Sequence, residues 1–186
     1  MSNSRLYFVR HGRAEAGWDT AVDPELDALG HQQSREIAQQ LAPLGPMNVV
    51  TSPLKRCQQT AQPLCEAWMT RPVIRHEVAE IPSPEGVSIP DRVEWLRLAM
   101  SGTWESLGPR YTKFRDELVN FVSRLSNDTV IVSHFVAINA IIGKIKNDDH
   151  LVLYRLDNCS ITTIECDGQG ELKLIQSGRE ADTLIR

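Results

Sequence analysis

Short apolar runs alternate along this chain with stretches of helical period. Leu6-Tyr7-Phe8-Val9 reads as a buried strand, followed by a polar loop from about 13 to 27 that carries Gly17, Asp19 and Pro24. Leu29 to Leu44 is predicted helical, with Ile37, Ala38, Leu41 and Leu44 on one face. Asn48-Val49-Val50-Thr51 is a second strand. Ser52 is placed to cap the next helix and Pro53 to fill its first position, where no amide hydrogen bond is lost. Leu54, Cys57, Ala61, Leu64, Cys65 and Trp68 then recur at three- and four-residue steps. Pro72-Val73-Ile74 is a third strand candidate, and the proline-bearing stretch from Glu80 to Pro90 reads as loop.

The second half continues the alternation. Arg92 to Met100 is predicted helical, and Tyr111, Phe114, Leu118, Phe121, Val122 and Leu125 define an amphipathic helix. Thr129-Val130-Ile131-Val132 is another buried strand, and Phe135 to Ile142, apolar nearly all round, a buried helix. Ile161 to Cys166 and Glu171 to Ile175 flank Asp167-Gly168-Gln169-Gly170 and read as a terminal strand pair. Such an order predicts an α/β fold: a three-layer α/β/α sandwich whose central sheet is mostly parallel and covered on both faces. With no repeat, low-complexity tract or linker, residues 1–186 are read as a single domain.

Composition narrows the function classes. A hydrophobic fraction of 41%, a charged fraction of 24% and a net charge of −4 are those of an ordinary globular chain. The negative balance argues against nucleic-acid and membrane partners, yet a local pocket can still be basic. No apolar run approaches the roughly 18 residues a membrane span needs. The Leu6–Val9 stretch ends at Arg10, short of the about 7 to 15 residues of a signal-peptide core, so a cytoplasmic protein is expected. Cys57, Cys65, Cys159 and Cys166 form no CxxC pair and are read as reduced packing residues.

The candidate chemistry sits at strand ends. In open α/β sheets ligands bind outside the carboxyl ends of the strands. The first strand delivers Arg10 and His11, the second Ser52 with Arg56 a turn into its helix, and the fourth Ser133 and His134 at a helix start. Arginine forks match phosphate oxygens, and helix N-termini favour anions. Each residue alone has an ordinary reading: a solvated Arg56, or a His134 satisfied inside the core. Their joint placement points to phosphoryl chemistry.

These residues also carry a family resemblance. Phe8-Val9-Arg10-His11-Gly12 resembles the signature of the histidine phosphatase superfamily, the phosphoglycerate mutase-like family. Leu26-x-x-x-Gly30-x-x-Gln33 resembles the family's segment opening its first helix. Ser52-Pro53-Leu54-x-Arg56-x-x-x-Thr60-Ala61 resembles its second signature and Val130-Ile131-Val132-Ser133-His134 its third. Asn158 with Ser160 is similar to a late polar element before a final strand. The match runs from about residue 5 to 165. RHG alone is weakly specific; the ordered set is strongly so.

The resemblance implies a phosphoglycerate mutase-like fold and a nucleophilic His11 that becomes covalently phosphorylated. It implies a phosphate pocket of Arg10, Arg56 and His134, and a glutamate proton donor after the third strand. Glu80 resembles the family position better than Glu77, and Glu85 is a further candidate. A neutral imidazole is needed for attack, and neighbouring cations disfavour the imidazolium.

Two positions depart from the family pattern. The residues after RHG are Arg13-Ala14-Glu15, without the supporting Asn of many mutases, and this RHGxA form resembles the small phosphatase branch, phosphohistidine phosphatases included. Phe135 follows His134 where glycine is common, and its side chain is expected to reshape the pocket wall.

The reading is therefore a metal-independent phosphatase acting on a small phosphorylated metabolite or a phosphoprotein. A mutase-type phosphotransferase and a non-catalytic phosphate-binding regulatory protein are the alternatives. No metal or other cofactor is expected: neither HExxH nor a clustered Asp-x-Asp loop occurs. Arg13 and Trp18 are read as surface, with substrate contact as the alternative, and Pro82 to Pro90 as pocket rim. His31, His76 and His150 are expected at the surface.

Overall fold

The computed structural model describes residues 3–17 and 19–181, so Trp18 lies outside the described residues. In chain order the elements are β1 (Ser4–Arg10), α1 (Ala28–Leu41), β2 (Asn48–Thr51), α2 (Lys55–Ala67), β3 (Val73–Ile74), α3 (Arg92–Met100), α4 (Trp104–Leu107), α5 (Pro109–Val122), β4 (Thr129–Ser133), α6 (Phe135–Lys146), β5 (Ile161–Cys166) and β6 (Leu172–Gln176). The strands form one sheet in the order β3-β2-β4-β1-β5-β6. β3, β2, β4 and β1 run parallel, and β5 and β6 extend the sheet antiparallel from β1.

The pleat explains why the strand runs are apolar on every residue. Leu6 and Phe8 of β1 and Ile131 of β4 face a core built with α3 to α6. Val9 of β1 and Val130 and Val132 of β4 face a second core, built with α1 and α2. Successive side chains point to opposite faces, and here both faces are covered. The three-layer α/β/α arrangement of the sequence reading is the one observed.

Register places the strand ends level. Arg10 pairs with Ser133, and Thr51 with Val132. The ladder runs one step further: His11 N donates to Ser133 O (3.0 Å) and Ser52 N to Val132 O (3.1 Å). His11, Ser52 and His134 thus leave the sheet side by side along its carboxyl edge.

Several boundaries differ from the sequence reading. α1 stops at Leu41, because Pro43 has no N–H to continue the ladder; Leu44, expected on the buried face, is 54% exposed. α2 begins at Lys55 rather than Pro53. Its first amide is capped by Asp23 Oδ1 (2.9 Å) from the β1–α1 loop, while the Ser52 hydroxyl accepts from Leu54 N (3.2 Å) outside the helix. α4 is a single turn, too short for periodicity to reveal, and buries Trp104. α5 ends at Val122, before Leu125, and α6 runs on to Lys146. All four cysteines are free and buried. No helix among the described residues is long and apolar enough to cross a membrane.

Candidate active site

The loop after β1 is held close to α1 by two glycines. A Cβ on Gly12 would lie 2.8 Å from Gly30 O, and one on Gly30 would lie 2.1 Å from Arg13 O. Backbone therefore packs on backbone where the helix begins. Arg13 N donates to Gln33 Oε1 (2.9 Å), and the Asp27 carboxylate caps Gly30 N (2.7 Å), so both ends of the resemblance around Leu26 to Gln33 serve to fix this loop. The amide of Gly12 donates to Thr60 Oγ1 (2.9 Å), and Asn158 Nδ2 donates to His11 O (2.9 Å). Cys159, in the left-handed region at φ 52°, donates its amide to Arg10 O (2.9 Å).

His11 is oriented by its own neighbour. Its Nδ1 lies 2.8 Å from Gly12 O, a carbonyl that can only accept, so the proton sits on Nδ1. Nε2 then carries the lone pair, and Arg56 Nε donates to it at 3.2 Å. Arg56 Nη2 donates to His134 Nδ1 (3.3 Å) and lies 3.9 Å from Glu80 Oε2. Arg56 Nη1 is buried without a hydrogen-bond partner. His134 and His11 meet edge to face, with ring centroids 5.2 Å apart.

His134 is set from behind. Its Nε2 lies 2.7 Å from Ser52 Oγ and 3.4 Å from Cys57 Sγ. With Arg56 donating to Nδ1, the consistent tautomer carries its proton on Nε2, which donates to Ser52. Nδ1 faces Glu80 Oε2 at 3.4 Å. Glu80 reaches this position because Ser133 Oγ, at the end of β4, donates to Val78 O (2.7 Å) and ties down the segment that carries it. Arg10 lies 5.1 Å above the Phe135 ring, and its Nη1 donates to Leu156 O (2.5 Å).

Burial and cationic neighbours set the protonation states. His11 is held well below the usual imidazole range by burial first, then by Arg56 and Arg10. His134 is lowered likewise by burial, Arg56, His11 and Arg10. Both rings are neutral at pH 7. Burial pushes the Glu80 carboxyl up, opposed by Arg56, the Ile81 amide and Arg10. Burial brings Arg10 down to about 10, still charged at pH 7. The result is a buried cluster holding two arginines, a neutral lone pair and a carboxyl group pushed up from its ordinary range by burial.

Ligand atoms of His11, Glu80 and His134 lie within 4.8 Å of one another, close enough for one metal ion to reach all three. The Arg56 guanidinium contacts each of them and supplies the positive charge there. A second cation would meet it directly, whereas an anion would be drawn to it.

The five site residues singled out in the sequence, Arg10, His11, Arg56, Glu80 and His134, are brought together. Glu77 lies in the short turn His76–Val78, away from these contacts, and Glu85 is an exposed partner of Arg110 (3.2 Å). Arg13 is half exposed and paired with Asp27, as the surface reading has it. His76 and His150 are exposed and His31 partly so. Phe135 is buried and lies under the Arg10 guanidinium. The sequence places Ser52 both as a helix cap and at the strand end beside the site, and Cys57 as packing; only the fold shows that both touch His134. For Cys57 the neighbouring Arg56 of the motif is the available signal.

Fold and site together define a class: α/β proteins that gather paired histidines, arginines and a glutamate at the carboxyl edge of a sheet. The chain belongs to the histidine phosphatase superfamily (branch 1), whose family model matches residues 6–176. It is 27% identical to a probable phosphoglycerate mutase, GpmB, of Enterobacter sp. (strain 638), over 87% of this chain and 84% of that one. It is also 27% identical to the uncharacterized phosphatase PhoE of Bacillus subtilis (strain 168), over 84% of this chain and 86% of the other. Among solved structures it resembles Bacillus stearothermophilus YhfR, with a TM-score of 0.76 and 20% identity over 96% of this chain and 98% of that one; this likeness is one of fold.

Proposed function

We propose that the protein is a metal-independent phosphatase working through a phosphohistidine on His11. The observation that carries this reading is the Nε2 lone pair of a neutral, buried His11 lying against Arg56, with Arg10, His134 and Glu80 around it. His11 Nε2 attacks phosphorus, forming the N–P bond as the P–O bond to the alcohol breaks. Glu80, whose carboxyl is raised and so holds a proton more readily, gives that proton to the departing oxygen. Water then attacks phosphorus and loses its proton to Glu80, and His11 leaves as the neutral imidazole. Arg10 and Arg56 meet the phosphoryl oxygens, and the bound dianion favours the protonated form of His134, adding a third donor. The substrate is a phosphomonoester, of a small metabolite or of a protein. The free buried thiols suit action in the cytoplasm.

A second reading, a phosphoglycerate mutase-type phosphotransferase, is favoured by the mutase name of the Enterobacter relative and disfavoured by Arg13-Ala14 after RHG. One experiment separates them. Rapid acid-free quenching after mixing with phosphomonoesters should trap an acid-labile phosphoenzyme in the parent and none in His11→Ala, with inorganic phosphate released at each turnover. Phosphoglycerate interconversion primed by a bisphosphate, without phosphate release, would establish the mutase instead. Binding of phosphate compounds with neither activity would leave a regulatory protein.

A further inference from the structure

The loop that anchors the end of β1 is itself clasped by the chain after β6. Residues 156–160 hold Arg10 and His11 directly: Arg10 Nη1 donates to Leu156 O (2.5 Å), Arg10 N to Ser160 O (3.3 Å), Cys159 N to Arg10 O (2.9 Å) and Asn158 Nδ2 to His11 O (2.9 Å). The chain after β6 in turn runs antiparallel along residues 155–157, with a bridge between Leu156 and Glu180. Asp157 N donates to Arg179 O (2.8 Å), Ala181 N to Arg155 O (3.0 Å) and Arg155 N to Glu180 Oε2 (2.8 Å).

The two sets of contacts meet at Asp157. Arg179 donates to its Oδ2 from both Nη2 (2.7 Å) and Nε (3.2 Å), and Asn158 N donates to its Oδ1 (2.8 Å). The Asp157 side chain is 17% exposed, against 73% for Arg179. An exposed ion pair ordinarily contributes little. This one differs in where its acid sits. Asp157 follows the residue whose carbonyl holds Arg10, and its charge is felt there: burial lowers Arg10 to about 10, opposed by Glu80 and then by Asp157. A carboxylate within reach of a phosphate-binding arginine competes with the phosphoryl group for it.

We infer that Arg179 is a positioning residue for the phosphoryl site: it engages the Asp157 carboxylate and so limits its competition with a phosphoryl group for Arg10. The inference rests on Arg10 meeting the phosphoryl oxygens beside His11. Arg179 acts through Asp157 and not on the substrate. With Arg179 in place, the charge on Asp157 Oδ2 is answered by a guanidinium at 2.7 Å. Without it, Asp157 keeps its bond from Asn158 N, but its charge is uncompensated in a mostly buried place with Arg10 in reach. That carboxylate either draws the Arg10 guanidinium toward itself or cancels part of the field Arg10 offers an anion. Both effects weaken phosphate binding.

The test reads binding and turnover on the full chain. Calorimetric titration with inorganic phosphate gives the affinity of the site, and steady-state rates on an aryl phosphate give kcat and KM. Arg179→Met is expected to weaken phosphate binding about fivefold or more and to raise KM, with kcat changed less. Arg179→Lys should keep part of the affinity. Adding Asp157→Asn to Arg179→Met removes the competing charge but keeps the oxygen that accepts from Asn158 N, so phosphate affinity should return to within about twofold of the parent. A clasp that only supports the fold predicts the opposite, a double variant that binds phosphate no better than Arg179→Met. That result, or a folded Arg179→Met with the parent's affinity, overturns the inference. If Arg179→Met does not fold, Asp157→Asn alone decides: phosphate affinity at or above the parent's is expected, and a weaker one overturns the inference. Failure of the phosphoryl site has a different signature: the parent itself neither binds phosphate nor hydrolyses the ester, and both readings fall.

Discussion

Arg56 Nε donates to His11 Nε2 at 3.2 Å, so the lone pair available for attack rests against a cation. The same guanidinium contacts His134 and Glu80, which makes Arg56 the centre of the cluster. Replacing it by methionine keeps bulk and removes charge. The expected result is a loss of about 10²–10³ in kcat, the size of losing one preorganised electrostatic contact. His11 should also titrate higher than in the parent, still short of 6.5 because burial, the larger cause, remains. Nitrogen-resolved NMR titration of the imidazoles measures this shift.

Glu80 faces the site with its carboxyl raised, while Glu77 and Glu85 do not reach it. Glu80→Gln should slow alkyl phosphates far more than aryl phosphates, because an aryl leaving group needs little protonation. Single-turnover rates on one substrate of each kind test this. Equal losses on both would remove Glu80 from the donor role.

Ser52 accepts the Nε2 proton of His134 inside the protein. Ser52→Ala strands that donor, and an unmatched buried group costs about 1–3 kcal/mol. A lowered melting temperature and a fall in kcat larger than the change in KM are expected, because the ring that holds the phosphoryl group loses its anchor. Ser52→Thr, which restores a hydroxyl, should recover part of both.

Stability should fall in mild acid. The folded chain holds His11 and His134 neutral well below 6.5, whereas the unfolded chain protonates both near that value. Below about 6.5 the unfolded state therefore binds more protons, and each histidine removes up to about 1.4 kcal/mol of stability per pH unit. Glu80, raised above 4.5, acts oppositely: its contribution is present below 4.5 and is lost as pH rises through its folded value. Melting temperatures in phosphate-free buffer should drop between pH 6.5 and 5.5, and His11→Gln should roughly halve the slope.

Gly30 has no room for a methyl group beside Arg13 O. Gly30→Ala should push α1 away from the His11 loop, at a cost of about 1–3 kcal/mol or more. Denaturant unfolding gives the stability loss, and the phosphoenzyme yield shows whether His11 has moved with the loop.

Much of this was legible in the chain. Strand runs apolar on every residue, as in Leu6–Val9 and Val130–Val132, mark a sheet covered on both faces, because local hydrophobic pattern reports burial directly. Arg10-His11-Gly12, Arg56 and His134 were readable as ordered motifs that open where strands end. Other features depended on groups far apart in sequence. The level register of Arg10 with Ser133 and Thr51 with Val132 sets His11, Ser52 and His134 side by side. The bond from Ser133 Oγ to Val78 O chooses Glu80 over Glu77. The Asp23 cap on α2 releases Ser52 from capping duty and frees it for His134. The sequence by itself determined the layers and the residue types of the site, since these follow from periodicity and motif. Only the tertiary structure decided which carboxylate and which hydroxyl face the histidines, since hydrogen bonds between distant segments leave no local pattern.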